Sequence, residues 1–242
     1  MEIIESYNRI ERKYADLLHE DFVDLYEEEV GTLEEILEAE AVAAAKEQEE
    51  TNENPEKGYK EGAESVAPAG HQWVYVFIVD AKEWTSKAIK FFTKQPYNHA
   101  ALSFDKSLTN MASFVATNFK RESIKNYNPQ AVFSLYKIAV PNNIAIVMKD
   151  MIANIEKCKD QYKYSLIGLL GFIDKRHARL YNNRKNAMFC SQFCARMFAS
   201  AGMKVFGDRP DYTIKPYDFA QNKNFKFCYR GTAKHYNPAK VR

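Results

Sequence analysis

Two regimes of hydrophobic and polar alternation divide this chain. From Ile3 to about Lys46 apolar residues recur at helical spacing: Ile3, Ile4, Tyr7, Ile10, Tyr14, Leu17 and Leu18, then Phe22, Leu25, Tyr26, Val30, Leu33, Ile36 and Leu37. The pattern predicts one or two amphipathic helices, broken at Gly31-Thr32, with Thr32 capping the second and Glu34 and Glu35 in its first turn. From Glu47 to Gly70 large apolar residues almost vanish among Glu, Asn, Gly and Pro, the composition of a flexible linker. Three regions follow: an acidic helical arm (1–48), a linker (49–70) and a body (71–242). A helix with one apolar stripe needs a partner surface, so the arm is expected to dock on its own body, self-associate or bind another protein.

In the body the period changes. Gln72-Trp-Val-Tyr-Val-Phe-Ile-Val-Asp80 is β-branched and aromatic throughout and predicts a buried strand. A helix is expected over 81–94, a strand beginning near His99, and a hairpin partner over 110–117 across a polar turn at 106–109. Residues 131–140 predict another strand and 143–157 a helix. The apolar, Gly-interrupted stretch 162–172 is expected to be helical, 176–185 a basic loop, 190–201 a helix closed by Gly202, and 225–230 a last strand. This order predicts an α+β fold, a small antiparallel sheet packed with helices. No repeat of twenty to fifty residues is visible.

With 242 residues, 46% of them hydrophobic, the chain can build one sizeable core plus an appendage. The longest apolar run, Leu166–Ile173, falls far short of the ~18 residues that cross a bilayer. The opening Met1-Glu-Ile-Ile-Glu-Ser lacks the basic start of a secretory signal, which points to a cytoplasmic chain or one released by lysis. Four cysteines, Cys158, Cys190, Cys194 and Cys228, have neither the density nor the spacing of a disulfide scaffold, and no zinc-finger pair accompanies them, so no metal is expected.

The formal charge of +2 conceals a steep segregation. Residues 1–65 hold 21 acidic and 6 basic side chains, net −15, and residues 66–242 hold 11 acidic and 28 basic, net +17. Such a body attracts anionic partners, with which its own arm can compete. Without an aromatic-interleaved basic motif or a phosphate-binding glycine loop, a specific nucleic-acid partner is not expected.

Candidate chemistry centres on Cys190, placed where a helix begins. Unpaired backbone N–H groups and the positive end of the helix dipole favour an anionic sulfur there and offer donors to an oxyanion. A thiol hydrolase also needs a base and a group to orient it. His99 is the candidate base. Ser113 is the first choice for the orienting group, with Asp105 and Asn110 in reserve, and Tyr97 is a candidate to line the site and lend a phenolic donor. Cys194, Cys158 and Cys228 read as core filling, and His19, His71, His177 and His235 are given no chemistry.

A strand histidine that precedes a helix-start cysteine is the papain arrangement in reversed chain order. Together with Thr93-Lys-Gln-Pro-Tyr-Asn-His-Ala-Ala-Leu-Ser-Phe-Asp105, Met111-Ala-Ser-Phe114 and Phe189-Cys-Ser-Gln-Phe193, it resembles the circularly permuted, YiiX-like branch of the NlpC-type papain-fold superfamily. The resemblance runs over about Trp73–Tyr236, including Pro216-Tyr-Asp-Phe219 and Phe227-Cys-Tyr-Arg-Gly231 as closing loop and strand, and leaves residues 1–70 outside. It implies a permuted papain-like body that cleaves amide or peptide bonds, often of cell-wall peptidoglycan, or an acyl-transferring relative, with Cys190 as nucleophile, His99 as base and no cofactor. A serine at the orienting position departs from the carboxylate or amide that many relatives carry. That departure, with the acidic arm, motivates a reading from another class: a structural or assembly protein, as in a bacteriophage particle, that uses the arm as its contact surface.

Overall fold

The computed structural model describes residues 58–59, 66–80, 97–115, 118–165, 172, 179 and 186–241. The chain divides into two units, Met1–Glu53 and Asn54–Arg242, and all described residues belong to the second. The helical arm and the expected helix over 81–94 therefore lie outside the described residues, as does the basic loop except for Arg179.

The second unit is α+β. Its six-stranded antiparallel sheet has the order β4-β3-β2-β1-β5-β8, from β1 (His71–Val79), β2 (His99–Ser103), β3 (Met111–Phe114), β4 (Phe119–Glu122), β5 (Val132–Pro141) and β8 (Lys226–Thr232). Strand β1 lies near the centre, paired with β2 on one side and along its whole length with β5 on the other. Its last seven residues are buried, because apolar side chains of both parities have a core to enter. Val74, Val76 and Ile78 face one apolar cluster with the helices α1 (Asn142–Lys157) and α2 (Cys190–Ser200). Trp73, Tyr75, Phe77 and Val79 face the other, with Leu108, Met111, Phe133 and Tyr229.

In α1 the buried residues Ala145, Met148, Ile152 and Ile155 form one stripe at helical spacing. Helix α2 is buried almost all round, from Cys190 to Ala195 and again at Met197 and Phe198. It ends as expected at Gly202, whose φ of 93° is a left-handed value that suits a residue without Cβ. Gly202 N–H donates to Ala199 and Met203 N–H to Phe198, the paired bonds of a Schellman cap.

Three expectations change. The segment expected to be helical from 162 begins instead with a two-residue strand, β6 (Lys163–Tyr164), parallel to β7 (Ala187–Met188). The hairpin strand over 110–117 is shorter, Met111–Phe114, and continues into a strand that the alternation did not announce, β4. Within the linker, Gly58 and Tyr59 form a bridge to the sheet at Tyr229. No described helix is long and apolar enough to cross a membrane.

Candidate functional site

The site forms where the start of β2 meets the start of α2. His99 opens β2 opposite Val79 of β1, and its side chain is 12% exposed. Cys190 is the first residue of α2, a position whose backbone N–H has no intrahelical acceptor. Two neighbours steady that helix start: the Gln192 side-chain carbonyl accepts from Phe189 N–H, and Ser191 Oγ donates to the Ile214 carbonyl at 2.7 Å. Asp211 holds Arg196 of the same helix in an ion pair at 2.5 Å.

Sequence analysis paired Cys190 with His99, and the structure sets the two near one another, at the starts of α2 and β2. The sulfur is close enough to the imidazole to act on its charge, and it lies 4.0 Å from the Asn98 carbonyl oxygen. Cys190 is nevertheless 1% exposed, so a substrate reaches it only after surrounding side chains yield.

The orienting group differs from expectation. Nε2 of His99 meets Oε2 of Glu122 on β4 at 2.8 Å. The other carboxylate oxygen of Glu122 accepts from Tyr127 Oη at 3.0 Å, so the carboxylate is held at both oxygens. The Ser113 hydroxyl is engaged elsewhere: fully buried, it donates to the Ala100 carbonyl at 2.6 Å and supplies a bond across β2 and β3, where backbone pairing is sparse. Asp105 caps its own turn by accepting from Ser107 N–H and Oγ, and Asn110 is exposed in the same turn.

The phenol beside the sulfur also differs. Tyr97 is 5% exposed and hydrogen-bonds Ser134 Oγ at 2.7 Å, with its ring stacked on Tyr217 at 6.0 Å. That hydroxyl is committed away from Cys190. The pairing of Tyr164 with Met188, two residues before Cys190, carries a different phenol to the thiol. The Tyr164 hydroxyl is buried and, among the described residues, has no hydrogen-bond partner, an unusual state for a polar group in a core. Burial, reinforced by the adjacent Cys190 sulfur, pushes this phenol well above its usual range and keeps it protonated.

The electrostatics favour a charged imidazole. Burial alone lowers the His99 pKa, but the Glu122 carboxylate and the Cys190 sulfur together raise it well above the ordinary histidine value. Burial likewise opposes ionisation of Glu122, and the imidazolium, the Tyr127 hydroxyl and Lys120 outweigh it, so the carboxyl stays below its usual range. Cys194, one turn along α2, behaves oppositely: burial, Cys190 and Glu122 all push its thiol up, and it remains neutral filling. Glu122 and His99 thus form a bonded carboxylate–imidazole pair with the Cys190 sulfur nearby, the residue types that proton transfer to and from a nucleophile uses. Among the described residues no group of three or more His, Cys, Asp or Glu gathers as a metal site would need. No protein-family model matches the sequence, and no curated protein matches it.

Proposed function

We propose that this protein is a thiol hydrolase of amide or peptide bonds, built on a permuted papain-like body of the NlpC type. The observation that carries the reading is the Glu122–His99 pair at 2.8 Å beside Cys190, which opens a helix. A buried ion pair is a poor way to gain stability, and strongly shifted groups concentrate at reactive sites. In this reading the Cys190 thiolate attacks the substrate carbonyl carbon. The oxyanion is held by the Cys190 backbone N–H and the Tyr164 hydroxyl, whose unused donor suits a charge that appears only in the transition state. The His99 imidazolium passes its proton to the leaving amine as the C–N bond breaks. Neutral His99 then takes a proton from water, whose oxygen attacks the thioester, and Cys190 leaves as thiolate while the acid departs. Glu122 holds the ring and stabilises its charge throughout. The resemblance to peptidoglycan-cleaving relatives suggests a cell-wall peptide as substrate, and an amine or lipid acceptor in place of water would make the enzyme an acyltransferase.

The reading is tested by exposing the protein to an activated acyl ester and mapping the acyl group by mass spectrometry. The expected result is a thioester on Cys190 that decays fastest in water; faster decay with an added amine or lipid acceptor identifies a transferase. The near-complete burial of Cys190 favours a second reading, an inert scaffold that serves as an assembly protein. That reading prevails if the acyl group appears on exposed Cys158 and not on Cys190. Tyr164→Phe is expected to lower kcat about 10²-fold with little change in KM, as removal of one oxyanion donor does. Unchanged steady-state rates would dismiss the phenol's role.

A further inference from the structure

Inside the segment whose composition predicts a structureless linker, two residues are held by the sheet. Arg230 N–H donates to the Gly58 carbonyl at 2.8 Å, and Tyr59 pairs antiparallel with Tyr229, adding a rudimentary strand to the open edge of β8. Gly58 is buried against that edge. A Cβ there would stand 2.5 Å from the Arg230 carbonyl oxygen and 2.8 Å from the Tyr229 ring, so close backbone approach demands glycine at this position. The Tyr59 ring packs on Tyr229 at 4.7 Å, and Lys240 lies over it at 5.8 Å. Its hydroxyl donates to the Asn237 carbonyl at 3.1 Å and accepts from Asn237 N–H. Backbone pairing supplies affinity, and a pocket that accepts only a glycine followed by a hydrogen-bonding aromatic supplies specificity, as in strand-addition recognition of peptides.

We propose that the β8 edge and the 235–240 tail form a capture site for an extended Gly-Tyr segment, filled here by the chain's own Gly58–Tyr59 and able to take that segment from a second copy. Among the described residues the hold is one edge-strand hydrogen bond and the contacts of the Tyr59 side chain, at the edge of the sheet and away from its centre, where local opening costs less than global unfolding. Charge favours recapture: Glu56, Glu61 and Glu64 flank the segment, and exposed Arg230, Lys234 and Lys240 border the edge. The site lies four strand spacings from β2, roughly 19 Å, so it stands or falls independently of the thiol chemistry.

The test is a fluorescence-anisotropy titration of a labelled peptide with the sequence of residues 54–64 against the full chain. Self-occupancy lowers the competent fraction, so a Gly58→Val/Tyr59→Ala chain is expected to bind the peptide at least ~10-fold more tightly than the wild type. A peptide carrying Ala in place of the tyrosine is expected not to bind. A Tyr59→Phe chain, which keeps the ring and loses the hydroxyl bonds, should fall between the two. Equal binding to wild-type and doubly substituted chains, or no saturation at about millimolar peptide, overturns the proposal. So does loss of the native circular-dichroism spectrum in the double variant, since that would make the segment an integral part of the fold.

Discussion

Cys190→Ala is expected to abolish turnover of an amide or ester substrate, by about 10⁴-fold or more, while the protein stays folded. The scale follows from what is removed: without a nucleophile no thioester forms, and only binding and the oxyanion donors remain to assist water. The fold should tolerate the change, because a thiol replaced by hydrogen at the first position of a helix removes no cap and little volume. Cys194→Ala is the matched control. That residue is fully buried on the same helix one turn later, its thiol is pushed up by burial, and it carries no proton in the mechanism. Its truncation is expected to cost about 1 kcal/mol in denaturant unfolding and to leave kcat/KM within a few-fold of wild type. If both variants lose activity in proportion to stability, Cys190 is packing and the scaffold reading replaces the enzymatic one.

The difference between these two cysteines was legible before any coordinates, because position along a helix says which sulfur meets unpaired N–H groups. The place of His99 was legible too, as a polar residue at the head of the strand His99-Ala-Ala-Leu-Ser103. Glu122 was not. Its strand, Phe119-Lys-Arg-Glu, has three charged residues in four and reads as loop, since an edge strand beside solvent needs only one buried residue, Phe119, to be held in place. Pairing with β3 decides its structure, and pairing is a tertiary fact that local pattern does not carry. Tyr164 was hidden for a different reason. It borders an apolar run whose composition suggests a helix, and only the short parallel contact of Lys163–Tyr164 with Ala187–Met188 brings it to the sulfur. Ser113 and Tyr97 misled through their neighbourhood in sequence: each has a buried hydroxyl close to His99 along the chain, and each satisfies another polar group in the sheet.

The same assignment makes Glu122→Gln the sharpest measure of the electrostatics. Glutamine keeps the shape and can still hydrogen-bond Nε2, but it removes the negative charge that offsets burial around His99. Turnover near neutral pH is expected to fall by roughly 10²- to 10⁴-fold, the range associated with disturbing an oriented acid–base group. The pH profile supplies the discriminating readout. In the wild type the imidazolium persists well above the ordinary histidine value, so the alkaline limb lies high; without the carboxylate, burial dominates and that limb moves to lower pH. Stability responds with matching signs. His99, raised on folding, contributes fully below its unfolded value and loses its contribution as pH climbs through the folded one. Glu122, lowered on folding, contributes above the ordinary carboxylate value and loses its contribution as pH falls through the folded one. The gap in unfolding free energy between wild type and variant is therefore widest between those two ordinary values and closes on either side. Ser113→Ala provides the contrast, because it frees the Ala100 carbonyl, costs about 1–2 kcal/mol of stability, and should leave the alkaline limb where it was. A limb that moves in Ser113→Ala and stays put in Glu122→Gln would return the orienting role to the serine.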